Sequence, residues 1–222
     1  MPLSQADLDV ADDPADWLFA PIGVLSHAER DHINLSQAFA FAAYHGLIVI
    51  CWAKELRGAN AMHLNEAEAA ALSGSSAGLG HEAAALCHFF IKGAPGMITE
   101  NVATFNKLAN GTPCICHSLT LPDGYDLEEM LDELDENDTF LFLPIAPVSV
   151  NVIPEIDDAL KVKLLADGAS LVNGELVVPI HMGKKVEAFV PTSVHSAKQG
   201  IPPELKCRGH AWILAWALTD FK

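Results

Sequence analysis

The last apolar run of the chain most constrains its fold. Residues 210–222 read HAWILAWALTDFK, an apolar segment that turns polar at Thr219 and Lys222. The run predicts one buried strand over residues 211–218, whose polar end would present a hydroxyl and an ammonium at the carboxyl edge of a sheet, where α/β proteins bind ligands. We interpret the sequence as interrupted within a site. An apolar strand with an unpaired edge promotes aggregation, so the isolated chain is expected to self-associate.

A second block of sequence indicates a hairpin-like turn. Residues 92–101 read KGAPGMITEN, and residues 108–112 read LANGT. The first part predicts a short strand over residues 95–99. Asn110 and Gly111 then supply residues suited to positive φ in a tight turn, which leads into a second strand over residues 113–121.

A third block indicates a strand followed by a capped helix. Residues 21–30 read PIGVLSHAER. Ser26 fits the N-cap of a helix over residues 27–45, with Glu29 completing a capping box, and Gly46 fits its C-cap. Arg30 would lie in the first helical turn, near the ligand edge of the sheet. A solvated arginine on an amphipathic helix is the alternative that the block alone leaves open.

Together, the three blocks resemble motifs of DNA helicases of the PIF and RecD type. The terminal run is similar to the start of the fifth helicase motif, with Phe221 where the family has His. The second block resembles the family's Gly-Ala-x-Val-Met-Leu-x-x-Asn and Leu-Val-Asn-Gly segments. The third block, with Asn34 in its helix, resembles the fourth motif. The resemblance implies an α/β fold: a partial RecA-like parallel α/β layer with an inserted small β-barrel or β-rich domain.

The resemblance also implies an activity and roles for particular residues. The parent protein would couple ATP hydrolysis to 5′–3′ movement on single-stranded DNA, with ATP and Mg²⁺ as cofactors and a first motor domain that these residues lack. Arg30 would face the nucleotide phosphates, whereas Thr219 and Lys222 would contact DNA. Asn110 and Gly111 would shape the turn that positions the inserted domain.

Four regions follow from this interpretation. Residues 1–16 form an acidic lead-in, 17–94 the first part of the second motor domain, 95–200 the β-rich insertion, and 201–222 the return strand. Further predicted elements are a strand over 47–52 and an acidic helix over 126–134. The insertion is predicted to contain strands over residues 139–153, 160–165, 169–172, 175–181 and 186–190, with a turn at Asn173 and Gly174.

Composition limits what these residues would do alone. The 222 residues carry 13 Lys and Arg against 29 Asp and Glu, a formal charge of −16. This charge opposes binding to nucleic acid by the isolated chain. The sequence contains no Gly-x-x-x-x-Gly-Lys-Ser/Thr loop, so we expect it to bind no ATP and to be inactive without the rest of a motor. The alternatives are a non-catalytic protein-interaction module and a decayed helicase relic.

The cysteines and the apolar runs indicate the compartment. Five cysteines lie in apolar contexts and are predicted to be reduced core thiols. In the segment Cys114-Ile-Cys116-His117, strand alternation would place His117 on the opposite face from the two thiols, which argues against a metal site. No apolar run is long enough to predict a membrane span. We expect an intracellular protein, nuclear or cytoplasmic, with a mitochondrial parent left open.

Overall fold

The computed structural model describes residues 19–57, 86–102, 108–166, 171–189 and 205–219. These residues form a mixed α/β structure. The helices in them are α1 (His27–His45), α2 (Leu127–Asp132) and α3 (Asp158–Ala166). The strands, in chain order, are β1 (Ile22–Val24), β2 (Val49–Ala53), β3 (Glu55–Arg57), β4 (Cys87–Phe90), β5 (Pro95–Ile98), β6 (Pro113–Thr120), β7 (Phe140–Phe142), β8 (Ser149–Pro154), β9 (Leu171–Val172), β10 (Glu175–Leu176), β11 (Val178–Ile180), β12 (Glu187–Phe189), β13 (Leu205–Arg208), β14 (Trp212–Leu214) and β15 (Ala217–Thr219).

The predicted helix over residues 27–45 is confirmed, with both of its caps. Ser26 Oγ accepts the Glu29 backbone N–H at 3.2 Å, and Glu29 Oε2 accepts the Ser26 backbone N–H at 3.1 Å. Gly46 ends the helix at φ +63°, a conformation that costs glycine little. Ala38 and Ala42 are buried one turn apart, so the helix backbone packs close to the neighbouring strands.

Parallel strand pairs are present, but they join segments that are distant in sequence. β1 pairs with β15, and β2 pairs with β7. β2 also pairs antiparallel with β4. The predicted strand of the third block, the helix over residues 27–45 and the strand over residues 47–52 all form, as β1, α1 and β2. Within the described residues, β1 and β2 do not pair with each other.

The prediction of one terminal strand over residues 211–218 was wrong. The run forms two short strands, because its halves pair with different sheets. β14 pairs antiparallel with β5, whereas β15 pairs parallel with β1. At the break, the Ala215 N–H donates to Pro95 O at 3.1 Å, and Trp216 O accepts the Ile22 N–H at 2.8 Å. Hydropathy alone does not reveal a change of partner, since both halves are buried.

Four strands of the β-rich region join β14 in one antiparallel sheet with the strand order β11-β8-β6-β5-β14. The register of β6 against β8 shifts between Cys116 and Ser118, at His117. The sheet includes β14, so the predicted return segment joins the sheet of the predicted insertion. The described residues form several sheets without a closed barrel. The inserted barrel therefore stays a prediction.

Residues 160–165 are helical, so their prediction as a strand was wrong. They belong to α3, whose start is capped by a bond from the Leu160 N–H to Asp157 Oδ1 at 2.7 Å. Leu160 and Leu164 are buried four residues apart, which is a helical spacing. The residues predicted as one strand over 139–153 form β7 and β8, with a connection over 143–148.

The turn at Asn173 and Gly174 and the acidic helix are confirmed. Asn173 and Gly174 have φ of +51° and +85° and join β9 to β10. Asp126 caps α2, accepting the Glu128 N–H at 2.8 Å. Within the described ranges, no helix is long and apolar enough to cross a membrane.

Candidate functional site

Two parallel strands from opposite ends of the chain finish side by side. Val24 at the end of β1 lies opposite Thr219 at the end of β15. Two residues after Val24, Ser26 begins helix α1. The carboxyl ends of both strands and the N-terminus of the helix thus meet at one edge, the place where α/β folds bind ligands.

A buried amide fixes the chain just before Thr219. Asn34, in the middle of α1, is only 6% exposed. Its Nδ2 donates to Leu214 O at 2.8 Å and to Ala217 O at 3.2 Å, and its Oδ1 accepts the Ala217 N–H at 2.7 Å. These bonds satisfy the backbone groups freed by the break between β14 and β15. Asn34 therefore determines where β15 starts and, two residues later, where Thr219 lies.

Thr219 is itself buried, with 8% of its surface exposed. Lys222 and Phe221 lie outside the described residues, so the structure does not place them. The predicted DNA contacts of Thr219 and Lys222 stay predictions.

Arg30 lies in the first turn of α1, as the sequence predicts, but its guanidinium is already paired. Arg30 Nη2 lies 2.6 Å from Asp31 Oδ1, and Nε donates to the same oxygen at 2.7 Å. Nη1 lies 3.0 Å from His27 Nδ1. A nucleotide phosphate would have to compete with the Asp31 carboxylate for this side chain. The phosphate-facing role of Arg30 stays a prediction.

A second ion pair lies with Arg30 at the edge of a small cleft. Arg30, Lys54 and Glu187 line a space of about 50 Å³, and Lys54 Nζ lies 3.4 Å from Glu187 Oε2. Burial acts to raise the pKa of Glu187, but the charges of Lys54, Lys185 and Arg30 together lower it. Glu187 is therefore held in its charged form, and the cleft contains balanced charges rather than free cations.

The predicted turn of the second block brings its two halves together. Thr112 N–H donates to Ala109 O at 3.1 Å, closing a turn in which Gly111 has φ +92°. Asn110 does not have positive φ, so that detail of the prediction was wrong. Its backbone N–H instead donates to Asn101 Oδ1 at 3.1 Å. Asn101, at the end of the first half of the block, thus holds the turn in the second half.

Two histidines form a buried cluster at the start of β14. His210 N–H donates to His88 Nε2 at 3.0 Å, and His210 Nε2 lies 2.9 Å from Pro147 O. Burial, together with the charge of Lys54 and neighbouring His210, lowers the pKa of His88 well below its usual value. Burial lowers the pKa of His210 to about 4, despite the bond to Pro147 and with a small contribution from His181. Both imidazoles are therefore neutral at pH 7.

The five cysteines are free and buried, as the sequence predicts. Burial raises the pKa of Cys51 and of Cys114 to about 12, and that of Cys87 to about 11. Thiols of this kind are protonated and unreactive at neutral pH. Cys114 and Cys116 point inward, whereas His117 is partly exposed. Among the residues that the structure places, no three His, Cys, Asp or Glu side chains converge in a way that could hold a metal ion.

Sequence reasoning missed the bonds of Asn34 and the contact between Gly209 and His88. A Cβ on Gly209 would overlap the His88 ring. Gly96 is tight for a similar reason: a Cβ there would overlap the indole of Trp212. Asn34 had a signal in the sequence, because an amide within the apolar stripe of a helix needs partners when buried. The glycine contacts had no such signal, since they depend on how distant strands pair.

Comparison with known proteins gives structural neighbours only. No protein-family model matches the chain, and no curated protein matches it. Among solved structures, the chain is similar to the Pif1 helicase from Candida albicans, with 17% identity and a TM-score of 0.37 over 90% of this chain and 36% of that one. Unliganded Pif1 from Bacteroides sp. has 13% identity and a TM-score of 0.34 over 90% and 41%. Bacteroides Pif1 bound to ssDNA has 12% identity and a TM-score of 0.33 over 98% and 36%.

The structural neighbours are therefore Pif1 helicases, and the chain spans 36–41% of their length. Because the TM-scores are below 0.5, the likeness does not by itself assign the fold or the activity.

Proposed function

We propose that these residues are part of an ATP-dependent DNA helicase, comprising most of its second motor domain and a β-rich insertion. One observation carries the proposal. The segments that resemble the fourth and fifth helicase motifs are distant in sequence, yet β1 and β15 pair in parallel and end at one edge. There Val24 lies opposite Thr219, 195 positions later in the chain (219 − 24). A motor that acts on nucleotide and DNA together needs its motifs at such a shared edge.

The residue roles follow from this arrangement. Thr219 would hydrogen-bond a phosphate of single-stranded DNA, and Lys222 would pair with phosphate or help order the loop after β15. Arg30 would exchange its bond to Asp31 for a phosphate of the nucleotide. Asn110 and Gly111 would hold the turn between β5 and β6 and so orient the insertion.

ATP and Mg²⁺ would bind the complete motor, largely through its first domain. A P-loop supplies the backbone N–H groups and the lysine that hold the phosphates. The 222 residues contain no such loop, so we expect them to hydrolyse no ATP by themselves. Movement would be 5′ to 3′, as the resemblance implies.

The first test is to sequence the transcript across both ends of this reading frame. A P-loop upstream, together with Gln-Gly and an arginine motif downstream, is the expected result. Stop codons at both ends would overturn the motor proposal and leave an interaction module or a relic. That alternative is favoured by the charge of −16, which suits a protein partner better than DNA.

The second test uses the protein of the full reading frame. Thr219→Val keeps the shape of a buried side chain but removes its hydroxyl, whereas Thr219→Ser keeps the hydroxyl. Loss of a hydrogen bond to a charged group costs about 2 kcal/mol, so Thr219→Val is expected to weaken single-stranded DNA binding about 30-fold. Thr219→Ser should remain close to wild type. Equal affinities for all three proteins would contradict the role of Thr219.

A further inference from the structure

Four of the few basic residues of this acidic chain lie on one surface. Only 13 of the 222 residues are Lys or Arg, and four of them line a single groove of about 500 Å³. We call it the basic groove; its lining is Arg57, Lys184, Val186, Ala188, Lys206 and Arg208.

The groove lies on the outer face of the sheet formed by β12, β13 and β3. Lys206 pairs with Arg57 on one side and with Ala188 on the other. Since side chains alternate along a strand, Lys206 and Arg208 share one face, and Cys207 between them points inward. Cys207 is 1% exposed. The cations therefore point away from the core because of the strand register.

One carboxylate holds both arginines in place. Glu55 Oε2 accepts bonds from Arg208 Nε at 2.9 Å and Nη2 at 2.6 Å, and Glu55 Oε1 lies 3.0 Å from Arg57 Nη2. Among the described residues, no carboxylate is paired with the ammonium of Lys184 or of Lys206. A second carboxylate, Glu100, accepts the backbone N–H of Lys184 at 2.9 Å. Four cations therefore line the groove against two carboxylates that bond to its residues, and the groove keeps a surplus of positive charge.

We propose that the basic groove binds the phosphodiester backbone of single-stranded nucleic acid. Its positive surplus matches a chain of phosphates, which both arginines and lysines recognise. Contacts to phosphates carry no information about base sequence, so binding by these cations would not depend on it. The site depends on the proposed function for its ligand, but its location follows from the charges and the strand register alone.

The overall charge of −16 does not prevent this binding at physiological salt. Exposed charges farther apart than the Debye length, about 8 Å at 0.15 M salt, are largely screened from each other. The phosphates in the groove would therefore interact mainly with the cations that line it. Each phosphate that is neutralised also releases counterions from the nucleic acid, so affinity should fall steeply as salt rises.

The test measures binding of a fluorescent oligo(dT) to the whole chain between about 50 and 200 mM salt. Lys184→Gln/Lys206→Gln removes two cations and leaves Glu55 paired with its arginines. For single strands, each lost phosphate contact lowers the slope of log affinity against log salt by about 0.7. The variant should therefore lose about 1.4 in slope and bind at least tenfold more weakly at the low-salt end.

The matched control is Lys92→Gln/Lys161→Gln, which changes the net charge equally but lies outside the groove. It should keep the wild-type slope. Absence of oligo(dT) binding by the wild-type chain, or equal losses in both variants, would overturn the proposal. Tighter binding of duplex DNA, or displacement of oligo(dT) by poly-aspartate at equal charge concentration, would overturn the proposal that the ligand is single-stranded nucleic acid.

A comparison of Thr219→Val with the lysine variant, both made in the protein of the full reading frame, separates this proposal from the motor function. If Thr219→Val weakens binding and the lysine variant does not, the groove proposal fails while the proposed function stands. If only the lysine variant weakens binding, the groove binds nucleic acid and the role of Thr219 is lost.

Discussion

Strand β14 has a buried polar group at each end, and the two groups behave differently. At its start, His210 and His88 form a cluster that can take up protons. At its end, Asn34 uses both N–H groups and its carbonyl oxygen in bonds to the backbone of residues 214 and 217. The first arrangement makes stability depend on pH, whereas the second does not.

The difference also concerns function. Asn34 holds the chain two residues before Thr219, in the segment that resembles a helicase motif. A neutral amide gives that position a fixed geometry over the whole physiological pH range, because an amide does not titrate there. The histidine cluster is on the side of β14 that leads back to β13 and the basic groove, through Gly209. We therefore expect a mutation at Asn34 to lower the stability of the protein equally at all pH values, and the histidine cluster to affect stability only as the pH falls.

The largest effect is expected at Asn34. Asn34→Leu would leave the Ala217 N–H and the carbonyls of Leu214 and Ala217 buried without partners. Each such group costs about 1–3 kcal/mol, so the free energy of unfolding should fall by about 3–5 kcal/mol. Urea unfolding at pH 6 and pH 8 should show the same loss.

The control for Asn34 is Ser36→Leu, a similar change at an exposed position of the same helix. It should alter the free energy of unfolding by no more than about 0.5 kcal/mol. A loss at Asn34 as small as this would show that the amide does not hold the break between β14 and β15.

The next effect concerns pH and His210. Its pKa is about 4 in the folded chain and about 6.5 in an unfolded one. The unfolded chain therefore binds the proton first, and the stability contributed by neutral His210 is complete above pH 6.5 and is lost as the pH falls towards 4. At about 1.4 kcal/mol per pKa unit, the contribution is about 3 kcal/mol.

His210→Gln can still donate to Pro147 O but cannot take up a proton in this range. We expect its stability to fall less than that of the wild type between pH 6.5 and pH 4. His117→Gln, outside the cluster, serves as the control for loss of a histidine. If the pH profiles of wild type and His210→Gln run parallel, the buried cluster is not the origin of acid sensitivity.

A smaller effect is expected at Gly209. In Gly209→Ala, the new Cβ would overlap the His88 ring, which is buried and cannot move freely. Overpacking of this kind costs about 1–3 kcal/mol. Gly23→Ala is the matched control, because nothing lies within 4 Å of its Cβ position. In the double variant Gly209→Ala/His88→Ala, the loss should be less than additive when measured by thermal unfolding.

These two ends of β14 also show what the sequence could predict. Local signals were sufficient for α1, because Ser26, Glu29 and Gly46 encode its ends within a few residues. The Asn173–Gly174 turn was predicted on the same basis. The break after Leu214 could not be predicted, because it depends on β14 and β15 choosing partners more than 100 residues away. Residues 160–165 show a different failure, since a short apolar run fits a strand and a helix equally well.

The candidate site was predictable in part for the same reason. Resemblance pointed to Arg30 and Thr219, and the pairing of β1 with β15 joins the segments that carry them. The pairing of Arg30 with Asp31 and the burial of Thr219 depend on side-chain packing, which no motif encodes. The basic groove was missed because its cations come from three separate segments and become neighbours only through the register of β3, β12 and β13.

The smallest effect tests whether the Asn34 end depends on the helix that carries it. Ser26→Ala removes the N-cap of α1, including the bond from the Glu29 N–H at 3.2 Å. Loss of such a cap costs about 1 kcal/mol. Ser26→Asp, which can accept the same bond, should restore stability.

Hydrogen exchange at the Ala217 N–H measures whether the Asn34 bonds depend on this cap. Because Asn34 lies two turns into α1, fraying of the first turn should leave its bonds intact. Exchange at the Ala217 N–H in Ser26→Ala should therefore quicken only as much as the loss of global stability requires. Faster exchange at Ala217 in Ser26→Ala than the global change explains would mean that the cap and the amide act as one unit, and that the geometry before Thr219 is determined as far away as the first turn of the helix.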